Sequence, residues 1–473
     1  MGFIMMNKKI DYYKNTLILF IGKFSSQLIS FILLPLYTFN LSTSSYGYVD
    51  LIQTYISLLA PVLLLQMDSA VFRFLIDNRE EEKEKGKIIT SSFLAIVFVC
   101  LISSIIFLFI CNFIKINYSN YIIINVIVLI ISNYFMSISR GNGNNLNYSI
   151  SSIIISVITL LTNIILILIF KYDARSILIA SVIANLFSII YLLKKEKIFN
   201  YISIKFYDKN LLKEMLKYSV PMIPNALSWW IVGLSDRTII VSFIDIAANG
   251  VYSISCKFSN LLNSVFSIFS MSWQEMVSIN INEKKSEDFI SKMMDDIFQL
   301  FVFMSCAIIG VMPLLYDFII GKNYLNSYNY IPILLLANLV SVLAGLLRGI
   351  YVAKKNTKKV ALTTIISAII NIIINVCFIS KIGLYAACLS TLASYILMFL
   401  YRYYDVKKIF KIKLNLRNIV ASILSYIFFS ILYYLKFKFI SLICLILFTA
   451  LIIKKNKRSI LNIITQFKLK RKL

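Results

Sequence analysis

The sequence predicts an all-α membrane protein with about fourteen transmembrane helices: two six-helix lobes related by a parallel pseudo-two-fold axis, followed by a C-terminal helix pair. Three observations predict this class. Hydrophobic residues make up 59% of the 473 residues and the mean hydropathy is +0.82, whereas soluble domains run at roughly 45–50% apolar. The apolar residues fall in runs of ~18 or more, long enough to span a bilayer, with short charged stretches between them. The spacing of features in the first half of the chain recurs in the second.

Lys8, Lys9 and Lys14 precede an apolar run over 16–39. It is longer than a signal-peptide core and has no small-x-small cleavage site, so it is the first helix. The next five cover 48–72, 88–111, 120–138, 148–170 and 176–193. A second six cover 218–243, 250–279, 297–320, 330–351, 360–380 and 383–401. A final pair covers 418–435 and 439–453. Helices are the default because lipid offers no partner to an open backbone.

Charge placement sets the topology. The net charge is +26, which in a soluble chain would point to nucleic acid. Here the basic residues lie between apolar spans, so no nucleic-acid partner is expected. With the N-terminus in the cytoplasm, most of the 48 Lys and Arg residues fall on the inner side. The opposite loops hold only Lys115, Lys171, Arg175, Lys322, Lys381, Lys436 and Lys438. This asymmetry places both termini in the cytoplasm and the chain in the inner (cytoplasmic) membrane. The outer loops are short and exclude a folded external domain.

Lys14 precedes the first helix as Lys217 precedes the seventh, and Gly47 opens the second as Gly250 opens the eighth; both pairs are 203 residues apart. Arg140-Gly141 matches Arg348-Gly349 at a separation of 208. Both halves start inside, so the repeat is parallel. The expected units are an N-terminal lobe over 1–200, a C-terminal lobe over 201–410, and helices 13 and 14 with a basic tail over 411–473. The Lys194–Lys217 stretch, with seven lysines, is the interlobe linker.

The chain has no His, which removes Ser-His-Asp triads and ordinary His metal sites. The seven cysteines are scattered, with no CxxC pair, and read as small hydrophobes. No catalytic residue, metal or cofactor is expected. Polar stripes carry the functional signal. Ser253, Lys257, Asn260, Ser264, Ser267 and Gln274 keep one face of the eighth helix. Ser149, Ser152, Ser156, Thr159 and Asn163 do so in the fifth, and Thr364, Ser367, Asn371 and Asn375 in the eleventh. Lys23, Gln27 and Ser30 mark the first. Such stripes line a water-filled cavity or glue helices together. A mid-membrane charge costs about 2.5–3.5 kcal/mol on insertion scales, which makes it a functional candidate. Lys23, Arg237 and Lys257 are therefore expected to form a cationic cavity lined by Gln27, Ser253, Asn260 and Asp236; the alternative is a charge network that locks the lobes together, with Asp236 paired to Lys257. Asp68 and Glu275, near the inner helix ends, are candidates for coupling to H+ or Na+.

The stretch Gly22-Lys23-Phe24 through Leu34-Pro35-Leu36-Tyr37-Thr38, then Tyr46-Gly47, resembles the opening of polysaccharide repeat-unit flippases, the O-antigen and capsule translocases of the multidrug/oligosaccharidyl-lipid/polysaccharide (MOP) exporter superfamily. Ser235-Asp236-Arg237, then Gly250-Val251-Tyr252, is similar to their seventh-to-eighth helix signature. Phe39-Asn40 departs from the pattern, since many relatives carry a charge there. The resemblance implies a MATE-like fold and alternating access. It implies a cargo of polyprenyl-diphosphate-linked oligosaccharide, membrane lipid as surroundings and polysaccharide assembly proteins as partners. A lipid II flippase and a MATE-type drug exporter remain open within the superfamily. A membrane glycan polymerase or ligase fits less well, since its external catalytic loops are missing.

Overall fold

The computed structural model describes residues 22, 25–114, 117–281, 286–354, 356–413 and 415–450. Among them every regular element is a helix. The first-half helices are α1 over 25–40, α2 Thr43–Leu63, α3 Met67–Asp77, α4 Glu82–Phe113, α5 Ser119–Gly141, α6 Asn145–Ile164 and α7 Arg175–Lys195. A connecting helix α8 spans Lys209–Ser219. The second half holds α9 Ile223–Phe243, α10 Ile246–Asn280, α11 Ser286–Ile319, α12 Ile331–Ala353, α13 Thr357–Ile382 and α14 Leu384–Lys407. Helices α15 Leu416–Tyr434 and α16 Lys438–Ala450 end the described chain.

Nine of these helices are long and apolar enough to cross a membrane, and α2 with α3 makes a tenth span bent by 47°. The chain is thus a multi-pass membrane protein. The apolar stretch of α12 is 72% buried and that of α4 only 11%, so α12 lies at the centre of packing and α4 at the lipid-facing rim. The end of the bundle at which α2 begins is called upper below.

The repeat extends to local structure. Ser42 caps α2 by accepting from the Ser45 amide. Asp245 caps α10 by accepting from the Ala248 amide. These caps are again 203 residues apart, and each satisfies an amide that the first turn leaves without a partner. One turn further on, Gly47 and Gly250 face each other across the two halves. A Cβ on Gly47 would overlap the Ile246 carbonyl oxygen, and a Cβ on Gly250 the Thr43 carbonyl oxygen. The contact is self-complementary, as a two-fold relation requires. Small residues allow this approach in a membrane, where dispersion contacts replace the hydrophobic effect.

Two features differ from the sequence reading. The expected span over 48–72 is broken. Pro61 lies inside α2 and cannot donate a backbone hydrogen bond; Leu65 and Gln66 then adopt left-handed φ values of 53° and 52°. The linker between the halves also contains a helix. Asp208 caps α8 through the Asn210 and Leu211 amides, and Leu211, Leu212, Met215 and Leu216 give it an apolar face against the core. Lysine density hid that pattern.

Gly→Ala in a helix is ordinarily worth up to about 1 kcal/mol in favour of Ala. At Gly47 and Gly250 the sign should reverse, because the added carbon meets backbone. At Gly233, where a Cβ meets nothing within 4 Å, it should not. Thermal unfolding in detergent is expected to rank Gly47→Ala and Gly250→Ala below the parent and Gly233→Ala at or above it.

Candidate functional site

A cavity of about 370 Å³ lies below the glycine contact, between α1 and α10. Gln27, Ser30 and Phe31 line it from α1, and Lys257, Asn260, Asn263, Ser264 and Ser267 from α10. Among the described residues the lining holds one cation and no carboxylate. Lys257 is partly buried and makes no ion pair among the described residues. Its neighbours are neutral amides and hydroxyls: Asn263 donates to the Asn338 side chain at 2.9 Å, and Ser264 to the Asn260 carbonyl. Lys23 lies outside the described residues.

The α10 stripe divides along its length. Its upper member Ser253 is fully buried and returns its hydroxyl proton to the Gly250 carbonyl, so it is helix glue, not cavity lining. The α6 stripe is also glue: Ser156 and Ser26 are 2.7 Å apart across α6 and α1.

Arg237 does not reach the cavity. Its Nε donates to Asp50 Oδ2 at 2.7 Å, and both side chains are under 9% exposed. The pair joins α9 to α2 and therefore one half to the other. Two more bonds continue that seam: Trp230 Nε1 donates to the Thr54 carbonyl, and Tyr55 meets Thr238. Asp50 was hidden in the sequence because it falls two residues into an expected span, where a charge reads as interfacial. The upper end is closed further by the Tyr37–Tyr46 and Tyr46–Tyr324 ring contacts. Gly321 donates its amide to Thr38 Oγ1, and Tyr324 donates to the Ser42 carbonyl.

Asp236 is turned ~100° from its neighbour, as adjacent helix positions are, and points into the second half. It is 2% exposed. Its carboxylate accepts from Asn375 Nδ2 at 2.8 Å, Tyr252 Oη at 2.8 Å and Thr391 Oγ1 at 2.9 Å. The expected Asp236–Lys257 pair is replaced by these neutral donors. The α13 stripe is thereby spent on interhelical bonds: Asn375 to Asp236, Asn371 to Thr391, and Ser367 to the Ser394 carbonyl. Two side-chain oxygens beside this cluster, Asn371 Oδ1 and Asn375 Oδ1, are buried without a partner.

Asp68 sits in the first turn of α3, just below the break, with Oδ1 buried and unbonded. Glu275 is exposed near the lower end of α10. Neither lines the cavity.

The profile of a family described as polysaccharide biosynthesis protein matches residues 12–274, and the chain belongs to that family. A search of curated proteins finds no match. Among solved structures, the fold is similar to that of "Lipid II flippase MurJ, inward closed conformation", at TM-score 0.68 and 16% identity over 93% of this chain and 99% of that one. It is also similar to an inward-facing multidrug resistance MATE family transporter of the MOP superfamily, at TM-score 0.62 and 11% identity over 83% and 95% of the two chains. An outward-facing MATE structure gives TM-score 0.58 at 11% identity over 83% and 94%. The chain therefore has the fold of the MOP superfamily.

Removing one partner of a buried ion pair strands the other charge, at a cost of about 3–5 kcal/mol. Asp50→Asn and Arg237→Gln should each lower the unfolding temperature strongly. The double variant should recover part of the loss. A thermal double-mutant cycle in detergent measures this coupling, and additive losses would show that the two groups do not depend on each other.

Proposed function

We propose that this member of the polysaccharide biosynthesis family carries polyprenyl-diphosphate-linked oligosaccharide repeat units from the inner to the outer leaflet of the cytoplasmic membrane. The observation that carries the reading is Lys257: a cation that, among the described residues, has no ion pair and no carboxylate beside it in a polar cavity beneath a sealed end. Each unpaired sugar hydroxyl costs several kcal/mol in hydrocarbon, so the glycan needs a polar path while its prenyl chain stays in lipid. The cavity's amides and hydroxyls suit the sugars. An ammonium suits the diphosphate, through charge-assisted hydrogen bonds.

The concentration of basic residues at the lower end supports reading that end as cytoplasmic. The structure is then the state closed to the outside. In this mechanism the cargo enters from below between α1 and α10, its diphosphate meets Lys257, and the Asp50–Arg237 seam parts as the two halves rock. Asp236 supplies the coupling site in this scheme. A buried carboxylate held only by neutral donors, beside two unpaired amide oxygens, can take up a small cation or a proton and release it when the packing around α9 changes.

A lipid II cargo is the second reading, favoured by the similarity to a structure described as a lipid II flippase. A cationic drug is disfavoured by the lack of any acid among the described residues of the cavity lining.

The test is transport by purified protein in liposomes, using a fluorescent polyprenyl-diphosphate oligosaccharide. The parent should move it between leaflets, and Lys257→Gln should slow transport at least tenfold while unfolding at the parent temperature. Extrusion of cationic dyes with no lipid movement would reverse the assignment; movement of lipid II alone would select the second reading.

Coupling is tested separately. Asp236→Asn should abolish the dependence of transport on a Na+ or H+ gradient but leave slow downhill equilibration. A variant that still responds to the gradient as the parent does would remove Asp236 from the coupling role.

A further inference from the structure

The α9 face that carries Asp236 also carries Trp229, Gly233 and Ile240, at steps of four, three and four residues, so all four point into the second half. The upper part of this stripe is packed solid: Asp236 is 2% exposed and Ile240 fully buried. The lower part is open. A Cβ on Gly233 would meet nothing within 4 Å, and Trp229 is 39% exposed. On this face the indole is therefore left uncovered by the described protein.

One group stands beside that indole with its charge unspent. Arg348, on α12, holds its guanidinium 5.7 Å from the Trp229 ring centroid. Its Nε is buried with no hydrogen-bond partner, and it joins no ion pair among the described residues. Behind it lies Arg402 on α14, 1% exposed. Arg402 is hydrogen-bonded through all three nitrogens: Nε donates to Thr363 Oγ1 at 2.9 Å, Nη2 to Thr364 Oγ1 at 3.1 Å, and Nη1 to the carbonyl of Ala344, one turn above Arg348. All of these acceptors are neutral, so the second arginine adds its field to the first. The repeat counterpart of Arg348 behaves differently. Arg140 stacks on Phe72 and Tyr148, and Asp68 interacts with its charge. The first half thus offsets its lower-end arginine and the second half does not.

We infer that Arg348, faced by Trp229 and reinforced by Arg402, is a second oxyanion-binding site on the transport path, in the second half and nearer the lower end than Lys257. This rests on the reading of the chain as a carrier of an anionic lipid-linked glycan. Counted along their helices, Arg348 lies about 26 Å and Lys257 about 16 Å below the upper helix ends, at ~1.5 Å per residue. The two sites are therefore staggered along the path. A guanidinium with free donors binds phosphate or carboxylate oxygens through paired hydrogen bonds, and the exposed indole face suits the apolar side of a sugar ring. Two sources of the oxyanion fit this chemistry: the diphosphate as it enters, or an acidic sugar of the repeat unit.

The experiment separates the sources and separates this inference from the transport reading. Binding of inorganic diphosphate and of glucuronate to the purified full chain is measured by calorimetry, together with liposome transport of a neutral and an acidic lipid-linked glycan. Parent, Arg348→Gln, Arg348→Lys and Lys257→Gln are compared at matched unfolding temperature. Loss of a charge-assisted pair corresponds to roughly ten- to a hundredfold in affinity. Arg348→Gln should lose affinity by that factor, and Arg348→Lys should lose less. Weakened diphosphate binding, with both cargoes slowed, assigns the site to the diphosphate. Weakened glucuronate binding, with only the acidic cargo slowed, assigns it to the glycan. Normal binding and transport in Arg348→Gln, with Lys257→Gln impaired, overturns the second site and leaves the transport reading standing. A parent that binds neither anion and moves neither lipid overturns both.

Discussion

The approach of Gly47 to Gly250 is the constraint on which the rest of the structure depends. Two helix backbones meet there with no side chain between them, and the contact repeats itself under the two-fold relation of the halves. It fixes how deep α2 and α10 lie against each other. That depth brings Asp50 opposite Arg237 and Thr54 opposite Trp230 on one side. On the other it sets Phe31 edge-on against Phe258, with ring centroids 5.5 Å apart. A wider separation would leave Asp50 and Arg237 as two unpaired charges in an apolar seam, so the glycine contact and the ion pair support each other.

The charged groups inside the bundle are handled in different ways, and the differences distinguish structure from function. Arg237 is neutralised by Asp50. Arg402 spreads its charge over hydroxyl and carbonyl oxygens. Asp236 is solvated by three side-chain donors. Each of these satisfies the demand that a charge removed from water be paired or hydrogen-bonded. Lys257 and Arg348 do not meet it within the described protein, and both stand beside open space. A charge retained at a cost of about 2.5–3.5 kcal/mol or more without an internal partner is what the proposed anionic ligand would satisfy.

Much of this was legible in the sequence because membrane helices are written in long apolar runs, and the repeat offset of 203 residues proved true down to the caps Ser42 and Asp245. The alternation of charge hid α8, whose four apolar residues are outnumbered by the surrounding lysines. The break at Leu65 and Gln66 was illegible because neither residue is Gly; Pro61 was its one signal, and prolines are tolerated in membrane helices often enough to be passed over. At the site, the stripe through Lys257 and Asn260 was readable because helical spacing shows directly in sequence. The partners of Arg237 and Asp236 were not. Asp50, Tyr252, Asn375 and Thr391 come from four different helices, and only the packing of the halves brings them in.

The break also explains why a near-symmetric pair of halves holds a cavity on one side. The repeat counterpart of Pro61 is Ser264, and α10 runs unbroken for 35 residues. Its lower polar face is therefore one continuous surface. Helix α2 packs above all on α10, with α5 and α9 to either side, but below the break α3 packs on α5, α8 and α4, within the first half and its connecting segment. The lower part of the span has left the interface. Contact between the halves is thus concentrated at the upper end, where glycine, tyrosine and the buried ion pair all lie. Below it, the α10 face has lost its opposite number. An unbroken polar helix facing a bent one leaves room that packing cannot close, and the polar residues that would be wasted against lipid are found on that surface.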